Sequence, residues 1–364
     1  MIQNDSNRAK KILFVCPYPP NLAAGQRLKF EPHFDALERE GYDIKQSCFM
    51  SQRLWHIAYK PGHYMEKIFW TIKGFCERVF LSFTLRKYDT VYIFMNVFPF
   101  GPAILERLFR KISRRVIYDI EDNIISKESN DDKRIVNFLK SKEKYEFLIK
   151  TADVVIASTP ALSEKCNQIS SSEKSIFIPP TLDDKRFIPK ALSTNKEKLT
   201  IGWTGTFSSK SYLDIVLPHL EALYKERNFK TKIIGNFEMD NPALDLEVVQ
   251  WNKDDEVNQL QDIDIGLYPL SQDDWVSGKS GLKAMQYMSI GIPAVCTATG
   301  HVMKIIDDAV DGILVFEESK WKETLKDLID NETKRKTVGG NARKTFLSKY
   351  STKSISKHYL KALG

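Results

Sequence analysis

The chain has 364 residues, 42% apolar and 28% charged, the proportions of an ordinary globular protein. At about 150 residues per domain this length suggests two domains, and the composition excludes collagen-like, disordered and disulfide-scaffold chains. The net charge of +7 is uneven: residues 1–185 hold 29 Lys and Arg against 23 Asp and Glu, and residues 186–364 hold 25 against 24. A basic first half predicts an anionic partner there, such as a membrane surface, a phosphate or a nucleic acid. No run of about 18 apolar residues predicts a spanning helix. The apolar run Ile12–Cys16 is too short for a signal peptide, so the expected location is cytoplasmic. Five scattered cysteines without a C-x-x-C pair read as small core residues.

Short apolar runs alternate with helical periodicity, which predicts an α/β protein with parallel sheets. Strands are expected at Lys11–Cys16, Ile44–Cys48, Thr90–Phe94, Arg115–Asp119, Val154–Ser158 and Ser175–Ile178. A helix carrying Phe30, Phe34 and Leu37 should stop at Gly41, and others should lie near Gly101–Ile112 and Lys133–Thr151. The polar, aperiodic stretch Asp183–Lys198 reads as a linker. The alternation then restarts: strand Leu199–Trp203, helix Tyr212–Glu226, then strands Thr231–Gly235, Leu246–Gln250 and Ile263–Tyr268. Helix Gly281–Ile290, closed by Gly291 and Pro293, precedes strand Ala294–Thr297. The resulting reading is two doubly wound, Rossmann-like domains, 1–185 and 186–349, facing across a cleft at their strand ends. The spacing of Ile355, Tyr359 and Leu363 predicts a C-terminal helix over 350–364.

The most informative segment is GKSGLKAMQYMSIGIPAV over 278–295. Lys283 and Gln286, three apart, share a helix face, while Leu282 and Met285 turn to the core. Ser280 is expected to cap this helix, whose positive end, with Lys279 beside it, suits a phosphate. An ordinary exposed helix with a solvated lysine face is the plain alternative, at even odds on these residues alone.

Together with IGWTGTFSSKSYL (201–213), DIGLYPLSQDDW (264–275), VIYDIEDN (116–123), ADVVIASTPAL (152–162) and IPPTLDDKRF (178–187), this segment resembles the family-4 retaining glycosyltransferases of the GT-B fold. The likeness spans nearly the whole chain, and the departures from the usual pattern resemble a capsule and O-antigen branch. It implies a nucleotide-diphosphate sugar bound by the second domain, the base more readily uracil than guanine, and retaining transfer of a hexose or N-acetylhexosamine to a lipid-linked glycan acceptor. Relatives carry two glutamates eight apart where this chain has Gly278 and Gln286; a glutamine amide still hydrogen-bonds a ribose diol, and Asp274 or backbone amides near Ser280 and Gly281 would take the sugar. Thr206, after Gly205, falls at the usual arginine position and Lys210 near the usual lysine, so Lys279 and Lys283 are the expected phosphate charges. Trp251 would border the base, with a core or domain-surface tryptophan as the plain alternative. In the first domain Gly25 falls where relatives use a glycine for close approach to the donor phosphate, and Arg27 follows it, a simple βα turn being the plain alternative. The resemblance also implies that the C-terminal helix crosses back to pack on the first domain.

Asn96, Asp119, Glu121 and Asp122 follow strands facing the predicted cleft, where a carboxylate would accept or orient an acceptor proton; pairing with Arg114 or Arg115 is the plain alternative for the carboxylates. Chemistry of this type needs charge neutralisation and positioning rather than a metal, so Asp262 and Asp264 are assigned no metal role and no cofactor is expected. A non-catalytic binding subunit of the same fold and a nucleotide-sugar epimerase are the alternatives.

Phe49–Lys87 interleaves seven basic residues with aromatics against only Glu66 and Glu77. It reads as a membrane-surface element, with Lys60, Lys67, Trp70, Lys73 and Arg78 facing an anionic bilayer. The plain alternative is a packed helix pair with a solvated basic face. Nucleic acid is disfavoured because no binding motif accompanies the patch. The expected station is peripheral, on the inner face of the cell membrane.

Overall fold

The computed structural model describes residues 8–58, 60–121, 142–189, 198–272 and 276–364. Two units are distinguished, one of Met1–Pro180 with Ser356–Gly364 and one of Thr181–Ile355. Among the described residues each holds a six-stranded parallel sheet, with strand orders β2-β1-β3-β4-β5-β6 and β12-β11-β10-β7-β8-β9.

The first unit runs β1 (Lys10–Cys16), α1 (Ala24–Arg27), α2 (Phe34–Arg39), β2 (Tyr42–Cys48), α3 (Gln52–Ala58), α4 (Tyr64–Ser82), β3 (Thr90–Phe94), α5 (Ile104–Ile112), β4 (Val116–Ile120), α6 (Glu143–Thr151), β5 (Val154–Ala157), α7 (Pro160–Ser170) and β6 (Ser175–Phe177). Its central strands are buried on both faces, which is why they read as continuous apolar runs rather than alternation. The expected helix over Phe30–Leu37 is instead broken into α1, a 3-10 turn at Glu31–His33, and α2. Pro32 lies in that turn and lacks the amide a continuous helix would need. The chain stops at Gly41, whose φ of +85° suits glycine. The start expected at Lys133 and the candidate Asp122 lie outside the described residues.

The second unit runs β7 (Leu199–Thr204), α8 (Lys210–Tyr224), β8 (Phe229–Gly235), β9 (Leu246–Gln250), α9 (Glu256–Gln261), β10 (Ile265–Tyr268), α10 (Leu282–Ser289), β11 (Ala294–Thr297), α11 (Val302–Ile305), β12 (Ile313–Val315), α12 (Trp321–Asp330), α13 (Glu332–Lys349) and the first residues of α14 (Thr352–Leu363). Sequence reasoning missed α9, α11 to α13 and β12. Helix α13 buries Val338, Ala342 and Phe346 at four-residue spacing and approaches closely through its backbone: a Cβ on Gly339 would lie 2.3 Å from the Gly291 carbonyl. The rest of α14 packs in the first unit, where Tyr359 stacks on His33 with centroids 4.4 Å apart and Arg115 donates to the Ala362 carbonyl at 2.8 Å.

Each order reverses direction once around its first strand, beside β3 in the first unit and beside β10 in the second. Ligands of open α/β sheets bind outside the carboxyl ends of strands at that reversal. Gly25 and Asn96 follow β1 and β3, and Gly205 and α10 follow β7 and β10.

Candidate functional site

In the second unit the chain leaves β7 at Thr204 and turns through Gly205 and Thr206 into a 3-10 turn, Phe207–Ser209, that leads into α8. Thr206 and Ser209 form a capping box, which accounts for the sharp entry. The Trp203 ring is buried at the base of this turn, and Lys283 Nζ stands 4.3 Å from its centroid. Lys283 also lies 3.4 Å from Ser209 Oγ and 5.8 Å from the centre of the Tyr268 ring. A Cβ on Gly205 would be 2.2 Å from Trp203 and 2.7 Å from Lys283 Nζ, so this position must be glycine for the lysine to sit there. Lys279 stands 5.2 Å from the centre of the Tyr212 ring. Burial, and then the charge of Lys279, push the Lys283 ammonium down to about 7. Two neighbouring cations packed over aromatic faces, one of them buried, suit an anion.

Helix α10 starts from Gly281 at φ +76°, and no side chain caps it; Ser280, expected to do so, makes no capping bond. A side chain at Gly281 would also meet Ile305 at 2.1 Å. The helix end is therefore left to ligands or solvent. Lys210 is held by Asp214 at 2.9 Å on the exposed face, so the Lys283 side is the more cationic. Gln286 points to a partner that sequence reasoning missed: its Nε2 donates to Glu256 at 3.2 Å, and Glu256, almost wholly buried, pairs with Arg186 at 3.5 Å. No motif flags Glu256; only the fold brings α9 beside α10. Trp251, half-exposed, follows β9 and donates its backbone amide to Gly235, which neighbours Gly205. Asp274 lies outside the described residues. Asp262 pairs with Lys232 at 2.8 Å, and Asp264 accepts the Thr200 amide at 2.8 Å.

In the first unit the group closest to the Gly25 backbone is the Glu121 carboxylate: a Cβ on Gly25 would lie 1.8 Å from Glu121 Oε2. Asp119, expected to face a substrate, does not: it is fully buried, ion-paired with Lys29 and accepting from the Tyr92 hydroxyl. Burial raises its carboxyl and Lys29 opposes that, the behaviour of a structural pair. Arg27 is buried. Asn96 sits, nearly buried, on the turn after β3, beside Met95 at φ +64°. That turn is held by Glu106, which accepts the Val97 and Phe98 amides at 3.1 and 3.2 Å, and by Lys144 on the Phe98 carbonyl at 2.8 Å.

The expected membrane-facing residues divide. Lys60 and Lys73 are exposed, Lys67 donates to the Lys60 carbonyl at 2.6 Å, and Trp70 packs partly on Phe49, Leu54 and Ile57. Arg78 is not on the surface at all. It is 1% exposed and donates to the carbonyls of Val97 at 3.0 Å and Cys16 at 2.8 Å and to Ser47.

Residues 184–345 match the model of the family glycosyl transferases group 1. Over 242 residues the chain is 22% identical to the uncharacterized glycosyltransferase MJ1178 of Methanocaldococcus jannaschii, covering 63% of this chain and 64% of that protein, under two thirds of its length. Its structure is similar to sucrose-phosphate synthase of Thermosynechococcus elongatus (TM-score 0.70, 13% identity, 97% of this chain and 98% of that one). It is also similar to HepE of Anabaena in complex with UDP (TM-score 0.64, 13% identity, 97% and 99%). The fold is that of the GT-B glycosyltransferases, two Rossmann-like domains. Within that class, the stretch that resembles the group 1 glycosyltransferases is residues 184–345.

Proposed function

We propose that this protein is a retaining glycosyltransferase that moves a hexose or N-acetylhexosamine from a UDP-sugar to a hydroxyl of a lipid-linked surface glycan, of capsule or lipopolysaccharide type. The observation that carries the reading is Lys283, held over Trp203 in the space left by Gly205, with Lys279 beside it. A diphosphate is an anion that two neighbouring ammonium groups can hold together. UDP is preferred because HepE is known with UDP, with UDP and glucose, and with UDP-glucose. In the reaction the acceptor oxygen bonds to the anomeric carbon as that carbon's bond to the β-phosphate oxygen breaks on the same face. The acceptor proton passes to a phosphate oxygen. The two lysines stabilise the charge that develops on the leaving diphosphate, in place of a metal ion. In the first unit Glu121 and Asn96 orient the acceptor hydroxyl; Asp119, committed to Lys29, has no part. Gln286 and Glu256 hold the ribose end, and Trp251 borders the base.

A thermal-shift panel of UDP, GDP, ADP and CMP without metal tests this. UDP at about 100 times its Kd adds about 2.7 kcal/mol, and Lys283→Ala abolishes the shift. No shift with any nucleotide overturns the donor site. Gly278, buried and without a side chain for the sugar, favours the second reading, a binding subunit without turnover. Free sugar released on long incubation with donor excludes it.

A further inference from the structure

Helix α4 is built inside out. Its inward positions, four apart, are Gly74, Arg78 and Ser82, all buried. Its opposite face carries Met65, Ile68, Phe69, Ile72, Phe75 and Phe80, each between 40% and 80% exposed. The spacing is that of one continuous apolar stripe, of the kind a globular protein turns to its core. Here the stripe cannot turn inward. A Cβ on Gly74 would lie 2.8 Å from Phe49, so the helix backbone is seated directly on that ring. One turn later the Arg78 guanidinium is locked to backbone carbonyls by the bonds described above, and rotating the helix would break those bonds and leave a buried cation unpaired. The stripe continues off the helix through ring contacts from Phe75 to Phe98 at 5.3 Å and from Phe98 to the exposed Phe100 at 5.7 Å. An apolar surface of this extent, held outward by a buried arginine, is an interaction surface.

We infer that this face of α4 inserts into the headgroup–acyl boundary of an anionic lipid bilayer. Charge selects that occupant. Between residues 60 and 87, Lys60, Lys67, Lys73, Arg86 and Lys87 are outside the core and only Glu66 and Glu77 oppose them. Glu66 is already paired with Arg53. A second copy docked on the same face would bring like charges together, whereas acidic headgroups complement them and the lysine stems lie along the apolar surface. Apolar insertion of about 5–10 Å makes the bond, and the basic rim selects the lipid. The inference fits the lipid-linked acceptor of the proposed function but is independent of the donor chemistry, so UDP binding reports on one and vesicle binding on the other.

The test uses the full chain with vesicles of phosphatidylglycerol and phosphatidylcholine, and with phosphatidylcholine alone. Cys76 lies exposed on α4, while Cys16, Cys166 and Cys296 are buried, so an environment-sensitive maleimide dye on Cys76, in a Cys48→Ser background, reports from the inserting face. The protein is expected to sediment with the anionic vesicles, the dye emission to shift to the blue, and part of the binding to survive high salt. Phe69→Glu with Ile72→Glu, both on the exposed face, should weaken binding at least about tenfold while the UDP thermal shift and the far-UV spectrum stay unchanged. Lys73→Gln should reduce the preference for anionic lipid and leave the blue shift in place. Sedimentation without a blue shift means contact through another surface and overturns the inference. So does a dimer, seen by sedimentation velocity, that Ile72→Glu dissociates while vesicles bind neither form.

Discussion

Gly205 and Lys283 occupy one space between them: a methyl group on the glycine would lie 2.7 Å from the lysine Nζ and 2.2 Å from the Trp203 ring beneath it. The glycine is thus a packing requirement set by a cation on another element, 78 positions along the chain. Its neighbour Thr206 caps the 3-10 turn Phe207–Ser209 that leads into α8, so the close packing of Gly205 places Lys283 at the mouth of this turn.

Gly205→Ala is expected to force the indole or the lysine aside. Overpacking of this kind costs about 1–3 kcal/mol, read as a lower urea midpoint with an unchanged slope. UDP affinity measured by calorimetry should fall further than stability does, because the displaced group is the phosphate ligand itself.

Lys283 titrates near neutrality, and the sign of its effect is fixed by its shift. The folded value is lowered to about 7, against an ordinary lysine in the unfolded chain. Between those two values the unfolded state holds the extra proton, so stability from this group rises with pH above 7 and is lowest in acid. Ligand binding runs the other way, since a diphosphate needs the ammonium. UDP affinity is expected to decline as pH rises from 6 to 9, by up to about tenfold per unit once the free site is deprotonated. Lys283→Arg should flatten both profiles.

Asp119 and Lys29 test a structural role. Lys29→Met strands a fully buried carboxylate, which should cost about 3–5 kcal/mol. The double variant Lys29→Met, Asp119→Leu should recover most of that. A double variant as unstable as the single one, by denaturant unfolding, would mean the pair does more than satisfy its own charge.

Gly25 and Glu121 test the acceptor side. The atoms a Gly25→Ala methyl would strike belong to the end of the Glu121 side chain, which can swing away. Stability should change by about 1 kcal/mol or less, while transfer falls because the carboxylate has moved. Glu121→Gln should lower kcat by about a hundredfold with UDP affinity intact. Equal losses in UDP binding would place Glu121 at the donor instead.

Acid is expected to loosen the C-terminal helix. His33, buried against Tyr359 and 2.8 Å from Ser356 Oγ, has its imidazole pushed down to about 3 by burial. Between that value and the ordinary histidine range the unfolded state binds the extra proton, so stability drops as pH falls through this window. His33→Gln should remove that part of the dependence in pH-dependent unfolding.

The strands were legible because each central one is buried on both faces and reads as an unbroken apolar run, and Gly41 and Gly291 mark turns that need positive φ. The lysines of α10 were legible because their spacing puts them by a helix start. Three things were not. Asp119 and Glu121, two apart on one strand end, differ only in that Lys29 reaches one and Gly25 makes room for the other. Glu256 carries no motif and meets Gln286 only where α9 lies against α10. Periodicity determined that α4 has an apolar face and a polar one, since a 3.6-residue repeat is a property of the chain alone. Which face meets the core was decided by tertiary structure: Gly74 seats the backbone on Phe49, and the buried Arg78 donates to the carbonyls of Val97 and Cys16.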